Sequence, residues 1–390
     1  MLSYNVAVRH DAGAMAVPFK ERIGAALVRD VGAHLARSWS DFPQRRFVRQ
    51  ALSGLEHLEL KARVAHVADA LAACLPRRFD VAAAALEGSL APARDDDDLP
   101  ALVTTEDGLA GWAVWPMTDF IARYGLAHPA RSLRALHALT QRNTAEYAVR
   151  PFLIEHRAQT MRALAGWVDD LSPHVRRLVS EGTRPRLPWG VQLKHLVADP
   201  SPCLPLLERL QDDSSAYVRR SVANHLNDVS KDHPGLVVGW LERHLVSCPA
   251  PRRAMLRHAA RTLIKQGNKP ALRAFGVGDP LRGRAVLEIS PRRASVGGEL
   301  RLEVSLQSTS ARSQQLVVDY IVHHVRSDGT TRGKTWKGWK LRLGAGELGV
   351  LHKAHSLRSV TTRRDYPGRQ RVELLVNGDV EATASFDLRR

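Results

Sequence analysis

The run Asp169-Asp-Leu-Ser-Pro-His-Val-Arg-Arg177 realigns with Asp212-Asp-Ser-Ser-Ala-Tyr-Val-Arg-Arg220, 43 residues further along. A weaker copy follows at Met255-Leu-Arg-His-Ala-Ala-Arg-Thr-Leu263, and another runs through Thr144-Ala-Glu-Tyr-Ala-Val-Arg-Pro151. A period of about 40 to 47 residues, with an Asp-containing turn, then Val-Arg, then small residues, reads as HEAT-like helix pairs. Each pair can bury its apolar face only against its neighbours, so the pairs stack and curve, leaving a concave surface. That surface is expected to carry the arginines that open each second helix. The same arginines can instead pair with the turn aspartates, and spacing does not decide between the two.

The pattern changes near residue 278. Before it lie Ala/Leu/Arg-rich segments with helical periodicity, such as Leu58–Cys74 and Thr160–Asp169. After it the chain alternates, as in Glu299-Leu-Arg-Leu-Glu-Val-Ser-Leu306, Leu316-Val-Val-Asp-Tyr-Ile-Val322 and Arg371-Val-Glu-Leu-Leu-Val376. Turn signals at Ser327-Asp328-Gly329 and Asn377-Gly378 separate these runs. About seven strands in a final stretch of this length fit an immunoglobulin-like sandwich. The expected fold is therefore mainly α: a HEAT-like helical-repeat solenoid over 17–278, then a small all-β immunoglobulin-like sandwich over 281–390. Gly276-Val-Gly-Asp-Pro280 is the expected linker, and residues 1–16 read as a flexible extension. Four tryptophans in helical patterns, Trp112, Trp115, Trp167 and Trp240, read as core, and the acidic run Asp95–Asp98 as a solvated loop.

Charge narrows the partner. The chain has 57 Lys+Arg against 40 Asp+Glu, a formal net charge of +17, which favours a polyanion. No apolar run approaches the roughly 18 to 20 residues of a spanning helix, and the N-terminus lacks a signal peptide's apolar core. Three scattered cysteines suggest neither a disulfide framework nor a zinc ligand set, and the 17 histidines lack metalloenzyme spacing. The expectation is a cytoplasmic protein, nucleoid-associated when on DNA, without membrane partner, metal or other cofactor.

The most specific stretch is His174-Val-Arg-Arg-Leu-Val-Ser-Glu-Gly-Thr-Arg-Pro-Arg-Leu-Pro-Trp189. With it go Gly111-Trp-Ala-Val-Trp-Pro116, Glu146-Tyr-Ala-Val-Arg-Pro-Phe152 and Ser221-Val-Ala-Asn-His-Leu-Asn-Asp228. Together these resemble the AlkC family of alkylpurine DNA glycosylases, relatives of the AlkD helical-repeat glycosylases, over roughly residues 17 to 275. A C-terminal immunoglobulin-like domain occurs in one branch of that family. The resemblance implies hydrolysis of the N-glycosidic bond of cationic methylated bases, 3-methyladenine chiefly and 3-methylcytosine, in duplex DNA without deep flipping of the lesion. It places the family's functional positions on Glu146, Glu181, Trp189 and Asp228.

The chemistry asks for such residues. N3-methylation charges the base and weakens its glycosidic bond, so the leaving group needs little protonation. Positive charge then develops on the deoxyribose, where carboxylates stabilise it, and one of them can activate water. An aromatic face beside a cation adds roughly 0.5 to 2 kcal/mol. The repeat sets Glu181 opposite Asn224, with Asp228 one turn further along the same helix face, and Trp189 follows a Pro-rich turn. Spacing alone also allows ordinary i,i+4 surface pairs, Glu181 with Arg177 and Glu146 with Arg150.

Further DNA contacts are expected at phosphates, which fix register without reading sequence. The candidates are Arg176, Arg177, Arg184, Arg186, Arg219 and Arg220 in the repeats. In the strand-rich region they are Arg332, Lys334, Lys337 and Lys340, in a segment that mixes cations with aromatics. A monomer suffices for a solenoid that wraps one duplex. The competing reading is a non-catalytic HEAT-repeat scaffold that binds nucleic acid without chemistry.

Overall fold

The computed structural model describes residues 18–358 and 366–389. The expected extension 1–16 lies outside the described residues. Helices come first: α1 (Ala25–Ser38), α2 (Gln44–Leu52), α3 (Leu60–Cys74), α4 (Phe79–Gly88), α5 (Val114–Tyr124), α6 (Pro129–Thr140), α7 (Val149–Glu155) and α8 (Arg157–Trp167). They continue with α9 (Pro173–Gly182), α10 (Lys194–Ala198), α11 (Leu204–Leu210), α12 (Ala216–Val229), α13 (Pro234–His244), α14 (Ala250–Ala259), α15 (Arg261–Lys265) and α16 (Lys269–Ala274). Strands follow: β1 (Gly283–Ser290), β2 (Arg293–Ser295), β3 (Glu299–Ser308), β4 (Gln314–Val325), β5 (Thr331–Leu343), β6 (Leu348–Ser356), β7 (Gly368–Val376) and β8 (Asp379–Arg389). No helix among the described residues is long and apolar enough to cross a membrane.

The chain packs as two compact units, one ending at His225 and the other beginning at Leu226, so the division falls inside α12. Helix gives way to strand between Ala274 and Gly283. The two transitions differ because the last helices pack with the sandwich. Lys337 Nζ donates to the Ile264 carbonyl at 3.1 Å, and Lys269 pairs with Asp379. A Cβ on Gly378 would stand 2.4 Å from the Gly267 carbonyl oxygen, so the closest approach requires glycine.

The repeat has a physical cause in the first unit. In one copy Asp170 Oδ1 accepts the Ser172 amide at 2.9 Å; in the next, Asp213 Oδ1 accepts the Ser215 amide at 2.8 Å. These Asx turns set the entry of α9 and α12. Pro173 at the first turn of α9 adds a pre-set φ where no N–H is missed. The first arginine of each Val-Arg-Arg closes the turn behind it. Arg176 donates to the carbonyls of Asp170 and Leu171 at 2.7 and 2.9 Å, and Arg219 to those of Asp213 and Ser214. Arg176 also grips both oxygens of Asp213 at 2.6 and 3.0 Å, tying one repeat to the next. The acidic run is more than a solvated loop, since Asp97 accepts a hydrogen bond from Ser215.

In the second unit, a three-stranded sheet ordered β1-β3-β6 faces a five-stranded sheet ordered β2-β8-β7-β4-β5. All pairings are antiparallel except β2 with β8. Inward positions of the alternating runs (Leu300, Leu302, Val304, Leu306 against Leu316, Val318, Tyr320, Val322) form the core. Burying each aliphatic of this kind contributes about 1.5–3 kcal/mol. Asn377 and Gly378, with φ of 52° and 89°, make the tight β7–β8 turn that their sequence predicts. The eighth strand, β2, has three residues, too few to show alternation.

Candidate nucleic-acid active site

Glu181 lies in the last turn of α9, beside the negative end of the helix dipole, and is only 3% exposed. A carboxylate there needs compensation, and three donors supply it. Arg184 Nη1 lies 2.6 Å from Oε1, Arg177 Nη2 3.6 Å from the same oxygen, and the Ser221 hydroxyl donates to Oε2 at 2.7 Å. Burial pushes the Glu181 carboxyl up, but the charges of Arg177 and Arg184 and the bonds from Ser221 and Arg184 outweigh it. The group is held below the usual carboxylate value. The surface i,i+4 pair that spacing allowed is thus a buried network.

Glu146 reaches the same place from the segment before α7. Arg177 Nη2 stands 2.9 Å from Glu146 Oε2, and the Thr144 hydroxyl donates to that oxygen at 2.8 Å. One guanidinium therefore sits between the two carboxylates, and its central carbon lies 4.8 Å from the centre of the Tyr217 ring. His174 also packs edge-on with Tyr217 at 5.7 Å; burial first, then Arg177, lowers the His174 pKa. Glu146 does not pair with Arg150, as the spacing had allowed.

Arg150 instead organises the loop that follows α9. Fully buried, it donates to the carbonyls of Gly182, Arg184 and Val191 at 2.8, 2.9 and 2.6 Å. At the tip, Gly190 donates to the Leu187 carbonyl at 3.1 Å, closing a turn with Pro188 second and Trp189 third. Trp189 has φ 65°, in the left-handed region where that position favours glycine. Its side chain is 61% exposed, and its carbonyl accepts from Lys61. A bulky residue in this conformation costs about 1–2 kcal/mol. Backbone strain of this kind clusters at ligand and active sites, which keeps Trp189 a candidate.

Asp228 belongs to the second unit, where it is 1% exposed and pairs with Lys231 at 2.9 Å. The structure thus brings Glu146 and Glu181 together through Arg177, sets Trp189 on the loop that α9 leads into, and describes Asp228 in its own unit.

The arginines and lysines expected at phosphates divide into groups. Arg177 and Arg184 are members of the carboxylate network. The guanidinium groups of Arg176 and Arg219 close repeat turns. Arg186 is half-buried, while Arg220, Arg332, Lys334 and Lys340 are exposed. Lys337 is held by Asp319 at 2.8 Å and by the Ile264 carbonyl. Lys334 Nζ sits 4.3 Å from the centre of the Trp336 ring. Partial burial, then the charges of Arg257 and Lys337, hold the Lys340 ammonium below its ordinary value.

Trp240 is core, at 1% exposure. Trp112 and Trp115 are half-buried and join Phe19 and Tyr147 in a row of rings at 6.1, 5.9 and 5.6 Å. Trp167 is half-buried against His137. Sequence reasoning missed Thr144, Arg150, Tyr217 and Ser221 as parts of the site. Each stood inside a quoted motif or repeat, and Arg150 and Ser221 lie about one and two turns from the candidate carboxylates Glu146 and Asp228.

The family described as "Uncharacterised protein YhaZ, C-terminal Ig-like domain" matches residues 284–390. The protein YhaZ of Bacillus subtilis (strain 168) is 35% identical over 372 residues, which is 95% of this chain and 99% of that protein. The Pseudomonas fluorescens alkylpurine DNA glycosylase AlkC, solved bound to DNA containing an abasic site analog, is 34% identical. The match covers 95% of this chain and 99% of that one, with a TM-score of 0.79.

Proposed function

The chain belongs to the AlkC-type alkylpurine DNA glycosylase family, in the branch with a C-terminal immunoglobulin-like domain, and from that membership we propose that it is a DNA repair glycosylase. Its substrate is duplex DNA carrying cationic alkylated bases, 3-methyladenine first and 3-methylcytosine second, attacked without deep flipping. It acts as a monofunctional hydrolase and as a monomer, in the cytoplasm. The observation that carries this reading is Glu181: a buried carboxylate, in the most specific motif of the chain, kept anionic by Arg177, Arg184 and Ser221.

In the proposed reaction the bond between C1′ and the base nitrogen breaks, and its electron pair leaves with the base, neutralising the lesion's charge. The positive charge passes to the deoxyribose. Glu181, whose proton affinity is low, suits electrostatic stabilisation of that charge better than proton abstraction. Water then bonds to C1′ and its proton goes to a carboxylate, for which Glu146 is the candidate in the first unit. Asp228 is proposed as a further carboxylate of the reaction on its place in the motif alone. Trp189 offers an exposed aromatic face to a cationic base. Arg186, Arg220, Arg332, Lys334 and Lys340 are the candidates for phosphates, with Lys337 beside them. Like charges gathered at Lys340, Arg257 and Lys337 support this, because a phosphate complements them.

The test is base release from dimethyl-sulfate-treated duplex DNA, with the freed bases separated chromatographically. Free 3-methyladenine above the spontaneous background is expected. Salt-dependent DNA binding with no release would overturn the proposal in favour of a scaffold.

A further inference from the structure

Where α9 meets α12 within the first unit, the buried contact is polar. Ser180 and Ser221 are 0% and 1% exposed, with hydroxyl oxygens 2.7 Å apart. Ser221 Oγ is 2.7 Å from Glu181 Oε2. A serine hydroxyl has one proton to give. An ionised Glu181 can only accept, so the Ser221 proton goes to it. Ser180 Oγ lies 2.7 Å from the Ser221 oxygen and 3.1 Å from the Arg177 carbonyl; its one proton goes to the nearer Ser221 oxygen, which has given its own proton to Glu181, and each bond polarises the next.

We infer that Ser221, steered by Ser180, is a positioning residue that fixes one oxygen of the Glu181 carboxylate from the α12 side, so that the carboxylate meets the developing charge in a single orientation. The catalytic half of this inference rests on the glycosylase reading; the orientation of Glu181 does not. Arg177 and Arg184 act on the other oxygen, and without Ser221 they would be free to turn the carboxylate toward themselves. The remaining charged or titratable groups around Glu181 are Glu146 beyond Arg177, Arg150 of α7 through the Gly182 carbonyl, and His225 of α12 through the Ser180 carbonyl at 3.0 Å.

The experiment compares full-length wild type, Ser221→Ala and Ser180→Ala by two readouts. One is the ¹³C-carboxyl titration of Glu181 in glutamate-labelled protein, assigned with Glu181→Gln. The other is single-turnover base release from methylated duplex DNA across pH. In Ser221→Ala the Glu181 signal is expected to titrate at higher pH, the acidic limb of the rate profile to move with it, and the plateau rate to fall about tenfold. DNA affinity should not change. Ser180→Ala keeps the Ser221 proton on Glu181, so its loss should be about two- to threefold. An unmoved Glu181 titration in Ser221→Ala overturns the inference, as do equal losses in both variants matched by equal falls in melting temperature. A wild-type chain that releases no base ends the glycosylase reading alone, because the titration still decides whether Ser221 holds Glu181.

Discussion

Arg184 and Lys340 read alike in the sequence, each a cation in a basic stretch, and the fold treats them in opposite ways. Arg184 is 4% exposed and locked 2.6 Å from Glu181. Lys340 is exposed, with Arg257 and Lys337 as neighbours. In the first unit, Arg150, Arg176, Arg177, Arg184 and Arg219 are met by carboxylates or backbone carbonyls. In the strand-rich unit Lys340 has the like charges of Arg257 and Lys337 beside it, while Lys337 is itself paired with Asp319. A net charge of +17 therefore contains two kinds of cation. The paired ones hold the carboxylate network and the repeat turns, and the exposed ones contribute a positive field of the kind that favours a polyanion.

The largest test of that division is Glu181→Gln. It keeps the shape and removes the charge that Arg177 and Arg184 answer. Single-turnover excision is expected to fall about 100- to 1000-fold, the scale of losing one preorganised electrostatic group. Affinity for undamaged duplex should stay near wild type, since the exposed cations are untouched. A variant that excises at the wild-type rate would remove Glu181 from the chemistry and with it the distinction.

Trp189 sharpens the comparison by separating function from stability inside one residue. Trp189→Gly relieves a left-handed backbone worth about 1–2 kcal/mol, while a more flexible unfolded chain takes back about 0.5–1 kcal/mol. Thermal unfolding should move little. Excision of a cationic base should nonetheless fall about tenfold, the upper part of the cation–π range. A large drop in melting temperature with unchanged excision would make the tryptophan a packing residue after all.

The exposed cations of the second unit predict the converse. Arg332→Ala and Lys340→Ala should each reduce the slope of log affinity against log salt by about 0.9, equally for damaged and undamaged duplex, and leave the excision rate at saturating DNA unchanged. An altered rate at saturation would mean that the second unit takes part in the chemistry.

What the sequence made legible follows from periodicity. Helix pairs, alternating strands and the Asn377-Gly378 turn are all set by local rules that repeat along the chain. Glu181 and Trp189 were singled out as candidates through a motif. The burial of an arginine has no period, so Arg150 and Arg184 looked like surface cations, although one organises the loop and the other meets the carboxylate. The same Val-Arg-Arg string sends its first arginine back onto the turn and, at Arg177, its second onto two glutamates; only the neighbouring chain distinguishes them. The division inside α12 was illegible as well, because it depends on contacts such as Lys337 to Ile264 and Gly378 to Gly267, made between distant parts of the chain.

The smallest expected effect sets the two regions against each other through pH. In the first unit, Glu181 and His174 both have lowered values, so their contribution to stability is full above their ordinary values of 4.5 and 6.5 and is lost as pH falls through the lower folded ones. Protonation would break the Ser221 and arginine contacts of Glu181 and place a charge on a buried imidazole beside Arg177. In the sandwich the sign is reversed. Burial pushes the Tyr320 phenol up to about 12, from an ordinary value of 10.0. Its contribution is therefore full below pH 10 and declines as pH rises toward 12, when the unfolded chain releases a proton that the folded one retains. Hydrogen exchange resolved by segment should show α9 and α12 losing protection first on the acid side, and β4 with its neighbours β5 and β7 losing it first on the alkaline side. Loss of protection in both regions together at both extremes would mean that the two units unfold as one, and that the contrast between their charges has no counterpart in their stability.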